Sequence, residues 1–125
     1  MSIPDNLKYT KTHEWVEIED VVTMGITDHA QHELTDIVYI DDYPDIGSEI
    51  AKGQVIAVIE SVKAVADVYA PVSGILKEVN GDLENAPESL NSAPYDAWIA
   101  KIEPSNQEEF EELLSPEAYQ EELSS

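Results

Sequence analysis

The chain has 125 residues, enough for one domain with a modest core, and it sets 27 acidic residues against six lysines and no arginine, a formal charge of −21. Such a field repels phosphate backbones and anionic lipid, which argues against nucleic acid and membrane surfaces as partners and for basic patches on other proteins. With no cysteine, disulfides, thiolate metal sites and cysteine nucleophiles are excluded.

The first residues, "MSIPDNLKYTK", hold no apolar signal core and no arginine-rich amphipathic stretch. No apolar run approaches the roughly 20 residues that span a bilayer, so the expectation is a cytoplasmic, prokaryotic protein. "HEWVEIED" and "VVTMGIT" read as two short strands meeting around Glu19 and Asp20. "TDHAQHEL" predicts a short helix with Thr27 or Asp28 as its N-cap. "DIVYIDD" is a strand ended by the turn chemistry of "YPDIGS". "QVIAVIE" is a nearly continuous apolar run, as expected of a strand covered on both faces. "AVADVYA" and "GILKEV" are two more strands, separated by Pro71 and Gly74.

"NGDLENAPESLNSAPYD" then reads as a long turn-rich connection, and "AWIAKIE" as the last strand. The character changes after it. "SNQEEFEELL" opens on Ser105 with Glu108 three residues later, the capping-box pattern, and Phe110, Leu113 and Leu114 form a helical apolar stripe. "SPEAYQEEL" restarts with Ser115 as N-cap and Pro116 at the first helical position. The prediction is a single domain over 1–125, mainly β, with a helical tail over about 105–123.

"ESVKA" lies between two strand-like runs, which puts Ser61 to Ala64 in a tight turn with Lys63 at its tip. A side chain there is approachable from nearly every direction, and its primary amine is the only nucleophile for amide formation at that tip. A polar turn residue is the simpler alternative. His29 and His32 stand three apart on the predicted helix, a spacing that puts two ligands on one face, but no third ligand is evident and capping or surface roles fit better. His13 has no serine or cysteine nucleophile marked out as its partner and reads as structural. Trp15, Trp98 and Tyr69 read as core or core-edge aromatics.

The blocks "HEWV", "GITDHAQ", "DIVYIDDYPDIG", "VIESVKAVADVYAPVSG", "EVN", "LNSAPYDAW" and "AYQEEL", in order from about Leu7 to Leu123, resemble the H-protein family of the glycine cleavage system. Biotinyl domains set their lysine between two methionines, where this chain has Val62 and Ala64. Lipoyl domains of 2-oxoacid dehydrogenase complexes carry Asp where Val62 stands. Acyl carrier proteins are helical and need an Asp-Ser-Leu setting, for which Glu88–Leu90, in a stretch reading as loop and strand, is no substitute.

The resemblance implies a barrel-sandwich hybrid of two β layers, lipoyl/biotinyl-like, with short helices. It implies a carrier rather than an enzyme, with lipoate joined to Lys63. The implied partners are a pyridoxal-phosphate glycine decarboxylase, a tetrahydrofolate-dependent aminomethyltransferase, a dihydrolipoamide dehydrogenase, and a lipoate ligase or lipoyl/octanoyl transferase. An H-like relay that hands lipoate to other lipoyl complexes is the alternative within carriers, and an unmodified scaffold the alternative outside them. By the same resemblance Glu14 and Asp67 match the family's cleft acids, with Thr12 beside them, holding the amine of the aminomethyl load by charge-assisted hydrogen bonds. Read from the residues alone, Glu14 is an exposed strand-end acid. Glu60 is either read by the lipoylating enzyme or a polar strand end. The chain departs from the family at Thr12, where Ser is common, and at Thr35, where Gly is frequent and a β-branched residue replaces a permissive backbone. It also departs at the shortened "YDAW", with Ala97 before the tryptophan.

Overall fold

The computed structural model describes residues 3–124, and within them nine strands follow the apolar runs of the sequence. These are β1 (Lys8–Tyr9), β2 (Glu14–Ile18), β3 (Val22–Ile26), β4 (Ile37–Asp41), β5 (Glu49–Ile50), β6 (Val55–Ser61), β7 (Val65–Tyr69), β8 (Gly74–Val79) and β9 (Ala100–Pro104). Three α-helices accompany them: α1 (Asp28–Leu34), α2 (Ser89–Ser92) and α3 (Pro116–Ser124). All strand pairings are antiparallel. One sheet runs β1-β2-β3-β9-β8-β5 and the other β4-β6-β7. The mainly β, two-layer expectation holds, although neither sheet closes into a barrel.

The main core joins the two layers. Ile56, Ile59 and Val68 of the small sheet and Met24, Leu76 and Ile102 of the large one belong to one buried cluster. Each such side chain contributes about 1.5–3 kcal/mol by leaving water. The continuous apolar run of β6 has a different cause from the one expected. A register shift between Val55 and Ala57 turns both Ile56 and Ala57 inward. Val55 and Glu60 stay exposed, so the outer face of this strand is open rather than covered.

Local chemistry sets the ends. Thr27 caps α1, its hydroxyl accepting the Ala30 N–H at 3.3 Å. At the other end Thr35 adopts φ 61° and ψ −147°, a region that strains a β-branched residue. It is held there by its N–H to the Gln31 carbonyl at 2.9 Å and by the Asn91 side chain, which donates to the Thr35 carbonyl at 2.7 Å. Gly25 lets the Trp15 indole cross its backbone, since a Cβ there would lie 2.6 Å from Nε1.

The tail corrects two expectations. Asn106, not Ser105, caps the segment after β9, its side-chain oxygen accepting the Glu108 N–H at 3.1 Å. Ser105 instead gives its N–H to the Ser73 carbonyl at 3.0 Å. The segment itself is a 3-10 turn, Gln107–Glu112. Phe110 and Leu113 pack on the main core, but Leu114 joins a second cluster with Tyr9, Trp15 and Tyr119, because the chain is extended at Leu113. Tyr9 and Leu114 exchange backbone hydrogen bonds of 2.9 and 2.7 Å. In α3 the Ser115 hydroxyl accepts the Ala118 N–H at 3.1 Å and Pro116 takes the first position, as expected. The connection before β9 also differs from its loop-and-strand reading. Ser89 and Leu90 lie in α2, with Leu90 fully buried.

Candidate functional site

β6 and β7 form a hairpin in which Ile59 faces Ala66 and Glu60 faces Val65, leaving Val62 and Lys63 as the turn. The Ser61 N–H closes it on the Ala64 carbonyl at 2.8 Å. The Ser61 hydroxyl accepts the N–H groups of Lys63 at 3.3 Å and Ala64 at 3.0 Å. A bond from the Val62 N–H to the Asp36 carbonyl at 3.0 Å anchors the tip to the start of β4. Lys63 is exposed, and its neighbours Val62 and Val65 are each 68 % accessible. Among the described residues no ion pair engages its amine. A primary amine held out on a rigid two-residue turn is well placed for acylation by an enzyme that must surround it.

β7 descends from that tip past Asp67, which is exposed, to Tyr69. There the Tyr69 N–H donates to Glu14 Oε2 at 3.3 Å. The other carboxylate oxygen of Glu14 accepts the hydroxyls of Thr10 and Thr12, each at 2.5 Å. Glu14 is only 2 % exposed, which corrects its reading as an exposed strand-end acid. Burial pushes its carboxyl above the ordinary value, while the two hydroxyls and the Tyr69 amide pull it back.

A cleft of about 370 Å³ opens between the start of β2, α1 and β7, and Thr12, Glu14 and Asp67 all line it. Three of the residues picked out in the sequence thus share one cavity. Lys63 and Glu60 stand outside it, at the turn and beside it.

The whole of this arrangement falls within the stretch, residues 7–125, that matches the family model described as "Glycine cleavage H-protein". The chain belongs to the glycine cleavage H-protein family. The glycine cleavage system H protein of Thermotoga maritima is 57 % identical over 116 residues, covering 91 % of this chain and 93 % of that protein. That of a Psychrobacter species is 50 % identical over 125 residues, 98 % of each chain. The crystal structure of a glycine cleavage system H protein from Mycobacterium marinum superposes with a TM-score of 0.87 at 31 % identity, covering 98 % of this chain and all of that one. H-proteins are the lipoyl carriers of the glycine cleavage system, and this is the function the family gives the chain. No helix among the described residues is long and apolar enough to cross a membrane.

His29, expected to have a capping or surface role, lines the cleft instead, together with Glu33 of α1, which the sequence did not mark; 3.8 Å separates imidazole from carboxylate. His32 is exposed, and among the described residues no group of three acids or histidines is placed to hold a metal ion. Thr10 grips Glu14 but went unmarked. The sequence held no signal for it, because the turn that brings Thr10 onto Glu14 reverses at His13 with no glycine or proline to announce it. A second cavity of about 580 Å³ shares Thr12 and Glu14 and extends to Lys52 and Glu112, which form an ion pair. Glu14 therefore lies where two cavities meet, while Asp67 lines only the smaller.

Proposed function

We propose that Lys63 bears the lipoyl group and that the loaded arm folds back along β7 into the cleft that ends at Glu14. One observation carries this reading: a single strand runs from the exposed amine of Lys63 to the buried carboxylate of Glu14, with Asp67 between them. The residues fit the group. The Lys63 amine is accessible for amide formation, and the cleft is lined by apolar Ile26, Ile59 and Val68 beside the acids.

When bound, lipoate supplies a disulfide that accepts the aminomethyl group and two electrons and is later restored by thiol–disulfide exchange. This chain supplies the rest. Amide formation removes the charge of Lys63. Glu14, held above its ordinary pKa by burial, is drawn back to the carboxylate by an ammonium brought beside it, gaining a charge-assisted hydrogen bond. Thr10 and Thr12 occupy Oε1, so Oε2 is the atom that the load shares with the Tyr69 N–H. The buried setting keeps water, which removes the carbon, away from it. With no cysteine in the chain, no protein thiol competes for the arm's sulfurs.

In this reading the chain is a carrier without catalytic residues of its own. It exchanges its load with a pyridoxal-phosphate glycine decarboxylase, a tetrahydrofolate-dependent aminomethyltransferase and a dihydrolipoamide dehydrogenase. It receives lipoate from a ligase or a lipoyl/octanoyl transferase, with Glu60, in register with Tyr39 and Val65, on the face that such an enzyme meets. The test is the intact mass of the wild type and of Lys63→Ala, each expressed with lipoate and a competent ligase. One lipoyl increment on the wild type, absent from the variant, is expected. No increment on the wild type overturns the reading.

A further inference from the structure

We propose that Tyr119 of α3 is a positioning residue for the arm cleft, its hydroxyl fixing His13 and Thr27 and through them the grip on Glu14. The proposal rests on the reading of the cleft given above.

Docking α3 does not need that hydroxyl. The Tyr119 ring is fully buried and stacks on Tyr9 with centroids 4.7 Å apart and planes 8° from parallel, and a phenylalanine ring would fill the same space. The hydroxyl instead makes two hydrogen bonds, to His13 Nδ1 and to Thr27 Oγ1, each 2.8 Å. Both partners belong to cleft-forming segments. Thr27 caps α1, the helix that brings His29 and Glu33 to the cleft. His13 lines the cleft and immediately precedes Glu14.

His13 is also a strained residue, at φ 71° without being glycine. Its strain has a local product. In a straight strand Thr10 and Glu14 would lie about 13 Å apart. The reversal at His13 brings them together, with the Thr10 N–H on the Glu14 carbonyl at 3.0 Å and the Thr10 hydroxyl on the carboxylate at 2.5 Å. Three contacts hold His13 in this state: its N–H to the Thr10 carbonyl at 3.2 Å, its carbonyl accepting the Thr27 N–H at 3.0 Å, and its ring nitrogen on Tyr119. The first two come from backbone. The third comes from a helix that starts more than a hundred residues later.

The charges around the pair agree with a neutral bond. Burial and the His29 ring, 4.4 Å away, lower the His13 pKa, against the upward pull of Glu33 and Glu122. Burial pushes the Tyr119 phenol up to about 12. Near neutral pH the bond therefore joins an uncharged imidazole to an uncharged phenol.

Tyr119→Phe tests this, because it keeps the ring and removes the oxygen. In the lipoylated protein charged from glycine, water cleaves the carbon–sulfur bond of the load and releases ammonia and formaldehyde as the thiol returns. The variant is expected to release ammonia roughly three- to tenfold faster, the equivalent of one lost hydrogen bond. A second readout needs no lipoate. The imidazole titration of His13, followed by NMR in the unlipoylated protein, is expected to move further below the ordinary histidine value in Tyr119→Phe, because the protonated ring loses an oxygen acceptor while burial and His29 remain. Glu14→Gln serves as the comparison. If Glu14→Gln loses its load faster and Tyr119→Phe does not, the proposal is overturned and the cleft reading stands. If neither variant differs from the wild type, the cleft reading fails and the proposal with it. A His13 titration unmoved by Tyr119→Phe also overturns it.

Discussion

The carboxylate of Glu14 and the backbone N–H of Tyr69 meet at 3.3 Å, joining the head of β2 to the foot of the strand that descends from Lys63. The two residues lie in different sheets. The hydrogen bond therefore ties the layers together at the cleft, and it does so through an acid that burial penalises.

That penalty has a sign that can be measured. The folded-state pKa of Glu14 is raised, so its contribution to stability is full below the ordinary glutamate value of 4.5 and is lost as pH rises through the folded value. Glu14→Gln removes the loss, because the amide oxygen still accepts the Tyr69 N–H and the amide nitrogen donates to the threonine hydroxyls. The variant is expected to melt above the wild type near neutral pH, with the two curves converging as pH falls below 4.5. A melting temperature below the wild type's at neutral pH would show that the carboxylate stabilises the resting fold.

The turn that presents Lys63 depends on one hydroxyl. Ser61→Ala removes the acceptor for the Lys63 and Ala64 N–H groups and is expected to cost about 0.5–1.5 kcal/mol in urea unfolding. Lipoylation should slow as well, because a loosened tip is a poorer substrate. A time course of intact mass with a lipoate ligase reads the rate directly. An unchanged rate would mean that the ligase reshapes the hairpin for itself.

Thr35 is a place where one substitution can stabilise this protein. Its backbone, at φ 61° and ψ −147°, suits glycine and strains a β-branched residue. Strain relief outweighs the added chain entropy, so Thr35→Gly is expected to gain about 1 kcal/mol. The urea midpoint should rise at unchanged slope. A fall would show that packing of the threonine methyl outweighs its backbone conformation.

With a formal charge of −21, association with basic partner surfaces is expected to be screened by salt. Raising ionic strength from about 0.05 to 0.3 M should increase the KM for this chain as substrate of a glycine decarboxylase several-fold, leaving kcat little changed. A flat KM would assign the acidic surface to solubility alone.

The hairpin was legible because its cause is local. Two β-rich runs separated by a polar turn leave Lys63 nowhere else to be, and Ser115–Pro116 announces α3 in the same way. Glu14 was misread because its burial is not local. Thr10 and Thr12 precede it closely in sequence, but Tyr69 reaches it from 55 residues away, and the reversal at His13 has no glycine to mark it. The choice of Asn106 over Ser105 as cap depends on the Ser73 carbonyl, which claims the Ser105 N–H and keeps the chain extended for one residue more. Leu113 and Leu114 could not form one helical stripe once Tyr9 paired with Leu114 as a strand does.

The order of the two sheets leaves four strand edges, and each is blunted against recruitment by another chain. β1 is two residues long and Leu114 already pairs with its Tyr9, and β5 is two residues long, too short to template pairing. β4 is interrupted by a register shift between Ile37 and Tyr39 and ends in an aspartate. β7 has the most inviting edge, five residues with an exposed valine at its start, and it borders the cleft, so nothing can be laid permanently over it. Asp67 in its middle and the Tyr69 N–H already bound to Glu14 protect that edge. Besides any part it plays toward the arm, Asp67 sets a charge at the middle of the strand edge beside the cleft, which disfavours strand-by-strand pairing between copies.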